Sequence, residues 1–190
     1  MTEPAAFVYL ESPHTTGVGL MTLIREDFAA HRRDWTRPGF RAIAVYRFGV
    51  WCMRIRSKPL RGIMKFLHRR LFIRVRNRYG IEIPFGARIG RRVVIEHQNG
   101  IVIHGHCEIG NDCRIRQGCT IGNKAADRPH DAPTLGDRVS VGAGAMILGK
   151  LTVGDDALIG ANAVVVKDVP AAATAVGIPA KNILATDERR

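Results

Sequence analysis

A six-residue period runs through the second half of the chain, and no other feature restricts the fold as tightly. Aliphatic side chains recur at Ile83, Ile89 and Ile95, then at Ile103, Ile109, Ile115 and Ile121, and again at Leu135, Val141, Ile147, Val153, Ile159 and Val165. Glycine follows many of them directly, as at Gly90, Gly110, Gly136 and Gly160. Four residues after the aliphatic stands a small or apolar residue, such as Ala87, Cys107, Cys113, Cys119, Ala145 or Ala163. One short strand and one turn per hexapeptide, with three hexapeptides to a coil, turn every aliphatic inward onto its equivalents above and below. The glycine permits backbone geometry that a side chain would strain. The span from Ile83 to Pro170 makes about five coils of a β-helix by this repeat. Periodicity alone does not fix its hand.

Ahead of Gly80 the texture differs. Residues 1–18 show no periodicity and read as a loose arm. Residues 19–80 read as a basic α-helical segment. A first helix starts near Leu20 and runs to about Asp34, a second follows Pro38-Gly39, and a third runs from about Leu60 to Arg78. The formal net charge is +12 over 190 residues. Residues 1–80 carry 16 Lys plus Arg against 5 Asp plus Glu, and the remainder carries 13 against 12, so the excess lies in the helices. Such a face is either solvated or docks to an acidic partner, anionic lipid headgroups among them. No run of about 18 apolar residues is present to span a bilayer. The start lacks the basic and apolar regions of a secretory signal. None of the four cysteines forms a CxxC pair. The reading is a cytoplasmic protein with reduced thiols, with peripheral contact at the inner membrane face as an extension and no nucleic-acid partner.

Loops leave a solenoid where its repeat breaks, and there are two breaks. Ile95 to Ile103 is eight residues instead of six, with the surplus around Glu96, His97, Gln98, Asn99 and Gly100. Ile121 to Leu135 is fourteen where twelve is expected, and 123–134 reads as an excursion loop rich in polar residues. The β-helix domain is placed at 81–170 and a C-terminal tail at 171–190. Cys107, Cys113 and Cys119 read as small buried residues, stacked along one corner by their spacing of six. A zinc site from His97, His104 and His106 would need three imidazoles converging on one ion, which an alternating pair on a flat strand does not give; no metal is expected.

Longer pieces carry a resemblance. Tyr79–Gly90, Ile95–Ile103, Gln117–Gly122, Gly142–Gly149 and Val176–Lys181, with Pro38–Arg47 upstream, resemble the serine acetyltransferase family of acetyl-CoA-dependent O-acetyltransferases. The match is nearest to its shorter members associated with bacterial polysaccharide synthesis, of the colanic acid acetyltransferase type, and it covers Asp34 to Lys181. The resemblance implies a mostly β fold, a left-handed parallel β-helix with an N-terminal α-helical segment, assembled as a homotrimer. It implies acetyl-CoA as cosubstrate and no metal. It makes His97 the general base on an acceptor hydroxyl that attacks the thioester directly, and Glu82 the carboxylate that orients it. Glu96 and Asp34 fall at acceptor-binding positions. Asn123, with Gly122, falls at the oxyanion donor, Ala143 and Ala161 line the pantetheine groove between neighbouring β-helices, and Lys181 is placed to meet a phosphate. A hydroxyl needs such a base, neutral imidazole suits the task near pH 7, and a carboxylate on its second nitrogen fixes the tautomer.

The chain departs from the family pattern in places. Gly122-Asn123-Lys124-Ala125 replaces Gly-Gly-Thr-Gly, and Asp131-Ala132-Pro133 replaces Arg-His-Pro; Arg128 and His130 lie close by as substitutes. The chain ends without the terminal Ile of the tail that docks into cysteine synthase, so that complex is not expected. L-serine is the leading acceptor, a sugar hydroxyl of an exopolysaccharide precursor is the alternative, and a non-catalytic binding scaffold is the remote one.

Overall fold

The computed structural model describes residues 12–125, 127–128 and 130–183. Three helices come first: α1 (Leu20–Ala30), α2 (Pro38–Met53) and α3 (Lys58–Tyr79). Proline in the first turn starts α2 and α3, and Gly80 closes α3 in a left-handed conformation that glycine adopts without strain. Five coils follow. The first is β1 (Ile81–Glu82), β2 (Arg88–Ile89) and β3 (Val94–Ile95), and the second is β4 (Ile101–Ile103), β5 (Glu108–Ile109) and β6 (Arg114–Ile115). The third is β7 (Thr120–Gly122), β8 (Thr134–Leu135) and β9 (Ser140–Val141), and the fourth is β10 (Met146–Leu148), β11 (Thr152–Val153) and β12 (Leu158–Ile159). The last holds β13 (Val164–Val165) and β14 (Thr174–Val176), and β15 (Lys181–Ile183) folds back antiparallel on β14.

The strands stack in parallel into three faces. The first is β1-β4-β7-β10-β13, the second β2-β5-β8-β11, and the third β3-β6-β9-β12-β14 with β15 at its edge. All thirteen aliphatics of the six-residue period are at most 3 % exposed. They stack as the period requires, for instance Ile103 on Ile121 and Ile121 on Ile147.

Three expectations change. The excursion loop is longer than the count of fourteen against twelve allowed. Ile121 and Leu135 lie on consecutive faces, where six residues is the norm, so the surplus is eight. The register shows it directly: Ile109 pairs with Leu135, whereas Leu135 pairs with Val153 only 18 residues on. The β-helix also passes the boundary set at Pro170. Ile159 pairs with Ala175, a coil two residues short, which hid the last face from a strict period. The arm from residue 1 lies outside the described residues up to residue 11. Residues 13–17 form a turn, Ser12 just before it and Thr15 within it are buried, and His14 Nδ1 lies 3.0 Å from Asn111 Nδ2.

The helices close the open edge of the first coil. A terminal coil has strand N–H and C=O groups with no neighbouring strand to pair them. Tyr46 in α2 supplies one set: its hydroxyl donates to Ala87 O (2.7 Å) and accepts from Ile89 N–H (3.1 Å). Arg47 donates to Ile89 O (2.9 Å) and to Gly90 O, and pairs with Asp27 of α1 at 2.8 Å, both side chains being at most 2 % exposed. His31 completes the edge, with Nε2 accepting from Ile95 N–H at 3.2 Å and Nδ1 facing Asp27 O at 2.7 Å. Those two bonds require a neutral imidazole protonated on Nδ1. Burial pushes its pKa below the usual value, in the same direction.

Candidate active site

The third and first faces meet at a corner where His97 leaves the coil. Glu96 N–H donates to Ile115 O and Arg116 N–H to Val141 O, so Glu96 and Arg116 hold equivalent places in successive coils. Gly100 lies against Gly118, so closely that a Cβ on it would come 3.2 Å from Gly118 Cα. Gln117 alone bridges Arg116 to Gly118, while His97, Gln98 and Asn99 bridge Glu96 to Gly100. The two-residue surplus is therefore carried by this bulge, and His97 is exposed on it. Asn99 and Gly100 turn the chain back with φ of 80° and 69°, which Asn and Gly tolerate best.

The surroundings of this bulge are built from several elements. Glu82 lies in β1 of the first face, half-buried between the inward Ile81 and Ile83. No hydrogen bond joins it to His97 among the described residues. Glu96 is engaged by two guanidinium groups, Arg114 and Arg116, each at 2.8 Å, which hold its carboxyl below the usual range. Its charge thus braces the base of the bulge. Asp34 caps the turn between α1 and α2, accepting from Thr36 N–H (2.9 Å) and Thr36 Oγ1 (2.6 Å). That turn sits over the same corner, because His31 and Gly39 on its two sides both touch Ile95.

Above His97 the corner becomes small. Gly118 N–H donates to Asn99 O, Gly144 N–H to Gln117 O and Asn162 N–H to Ala143 O, which ranks Asn99, Gln117, Ala143 and Ala161 in one column. The column climbs three coil steps, about 14 Å at the usual strand separation. Lys181 stands exposed beyond it, on β15.

The excursion loop leaves from the opposite edge of the first face, between β7 and β8. Asn123 Nδ2 donates to Ala125 O at 2.9 Å, bracing the loop. His130 Nδ1 lies 3.2 Å from His106 Nε2, and the His104 and His106 rings stack at 5.3 Å. Arg128 is exposed nearby. A strand of about five residues at 3.3 Å each, about 16 Å, separates this edge from the His97 corner. Within one chain the fold brings together His97, Glu96 and the Asp34 turn, and does not bring Arg128 or His130 to them. His97 and the His104–His106 pair likewise lie at opposite edges.

The cysteines depart from their expected stack. A spacing of six advances one face, so Cys107, Cys113 and Cys119 precede β5, β6 and β7 on three different faces. Each thiol faces a carbonyl of the next coil: Ile121 O (3.2 Å), Gly136 O (3.1 Å) and Gly142 O (3.1 Å). Burial pushes Cys107 and Cys113 up to about 12, leaving unreactive thiols.

Residues 132–167 match the family model for the bacterial transferase hexapeptide (six repeats). The chain is 43% identical to a serine acetyltransferase of Helicobacter pylori over 86% of its own length and 94% of the relative's. It belongs to the serine acetyltransferase family. Solved serine acetyltransferases share the fold: the soybean enzyme complexed with serine has a TM-score of 0.75 at 31% identity, covering 86% of this chain and 69% of the other. A serine acetyltransferase in complex with CoA has a TM-score of 0.73 at 31% identity, covering 90% and 72%. As a serine acetyltransferase family member the chain has site neighbours that its motifs did not flag. His31 and Arg47 fix the helices against the coil that carries His97. Trp35 is 65% exposed beside Asp34, and Arg41 lies 5.2 Å from its ring centroid while donating to Tyr79 Oη at 2.6 Å.

Proposed function

We propose that this chain is an acetyl-CoA-dependent serine O-acetyltransferase in which His97 activates the acceptor hydroxyl. The observation that carries the reading is the position of His97. It stands on an outward two-residue bulge, at the foot of a corner column that narrows to Ala143 and Ala161 two and three coil steps above. His97 takes the hydroxyl proton, and the oxygen forms a bond to the thioester carbonyl carbon. The tetrahedral intermediate collapses with cleavage of the carbon–sulfur bond, and the proton returns from the imidazolium to the departing thiolate. Glu82 orients the imidazole, Asp34 receives the acceptor, and backbone N–H groups at Gly122 and Asn123 meet the oxyanion. Ala143 and Ala161 flank the pantetheine, and Lys181 meets a phosphate. Glu96 acts by holding Arg114 and Arg116 beside the bulge.

The working unit is a homotrimer. His97 and the loop bearing Asn123, Arg128 and His130 occupy opposite edges of one face, so a three-fold arrangement sets one chain's loop against the next chain's corner. A second reading, a sugar hydroxyl as acceptor, is favoured by Asp131-Ala132 in place of Arg-His and by the exposed indole of Trp35, a surface suited to a sugar ring. Thiol release from acetyl-CoA separates the two. The first reading requires turnover that depends on L-serine, from a particle three times the 20.9 kDa chain mass. No turnover with serine but turnover with a sugar acceptor would establish the second.

A further inference from the structure

The solvent side of α3 does not resemble an ordinary hydrated helix face. Only His68, Val75 and Tyr79 of its 22 residues are buried. At 100° per residue, Ile63, Phe66, Arg70 and Asn77 lie opposite that stripe. Leu60, Ile63, Phe66 and Leu67 are 44–66% exposed. The helix also carries Lys58, Arg61, Lys65, Arg69, Arg70, Arg74, Arg76 and Arg78 and no acidic residue. Among the described residues none of these eight pairs with a carboxylate, although Arg88, Arg91, Arg92, Arg114, Arg116 and Arg138 of the β-helix all do.

A cleft opens beside this face. It has a volume of about 460 Å³ between α2, α3 and the first coil, with walls that include Met53, Phe66, Phe72 and Phe85 together with Lys65 and Arg69. His68 is 7% exposed on its wall, and its Nε2 has no hydrogen-bond partner. Apolar walls with cations on them complement a molecule that has a hydrocarbon body and an anionic head.

We propose that α3 and this cleft form a docking surface for an anionic phospholipid bilayer. Ile63, Phe66 and Leu67 enter the interface, an acyl chain occupies the cleft, and Lys65, Arg69 and Arg70 engage headgroup phosphates. Self-pairing of this face would oppose two helices of uniform positive charge with no acid to offset them. A nucleic acid would use the cations and leave the four apolar side chains in water. A lipid surface uses both sets, with basic residues around an apolar stripe as in interfacial helices. The proposal is independent of the acetyl-transfer reading.

Vesicle co-sedimentation of the full chain tests it. The wild type should bind phosphatidylglycerol-containing vesicles at least tenfold better than pure phosphatidylcholine vesicles, and salt should release it. The double variant Ile63→Ser/Phe66→Ser should lose at least tenfold in binding while its thermal melt and its thiol release from acetyl-CoA stay at wild-type values. Arg69→Gln/Arg70→Gln should lose binding comparably. Equal recovery with both vesicle types, or unaltered binding by the Ile63/Phe66 variant, would overturn the proposal. Release by duplex DNA at concentrations that leave the Ile63/Phe66 variant equally bound would reassign the face to nucleic acid. A smaller sedimenting particle in that variant would reassign it to contacts between copies. Vesicle binding fails or succeeds without reference to turnover, so the two readings are judged separately.

Discussion

At the scale of single residues, several polar groups near His97 serve to hold the fold in place. Glu96, next to the histidine in sequence, is bound by two arginines and stands among the holding groups. So does His31, whose neutral ring closes the hydrogen bonds of Ile95, two residues before His97. Its folded pKa is lowered by burial. The stability it contributes is therefore complete above its unfolded value of about 6.5, and is lost as pH falls from there through the folded value. His68, also lowered by burial, acts in the same direction. The melting temperature should drop between pH 7.5 and 5.5, and should drop less in His31→Gln, whose amide does not titrate. Equal slopes in the two proteins would remove His31 from the account.

At the scale of elements, the seat of α2 on β3 decides where the bulge stands. Gly39 packs so closely that a Cβ would come 2.0 Å from Ile95 O, backbone that has no side-chain freedom with which to yield. Gly39→Ala should destabilise by about 1–3 kcal/mol, as overpacking does, and should lower turnover through the displaced corner. Wild-type stability in denaturant titration would show that the helix moves freely. The repeat made the coils legible because each inward aliphatic is tested by the same stack every 18 residues. The bulge that carries His97 was legible because a break in that stack has no packing explanation. The loop's true surplus was not, since a stretch without aliphatics does not reveal which face resumes after it. The roles of Arg47 and His31 at the coil edge were not legible because the strand groups they satisfy, Ile89 O and Ile95 N–H, lie more than 40 and 60 residues away, beyond what spacing reports. The last coil was not legible because two missing residues put its inward residue at Ala175, whereas a strict period points to Gly177.

For the whole molecule, the fold is a parallel stack with the His97 bulge at one corner and the excursion loop at another. The helices finish the lower edge of that stack, and one of them presents a basic and apolar face outward. In the proposed reaction an assembly of chains would set the loop of one against the His97 corner of the next, and His97 would act as the base. The most direct measurement is acetyl-CoA turnover by His97→Ala, with coenzyme A binding followed in parallel by calorimetry. The account predicts a fall of about 10²–10⁴ in turnover, the usual contribution of a general base, with binding unchanged. Wild-type turnover in that variant would contradict it.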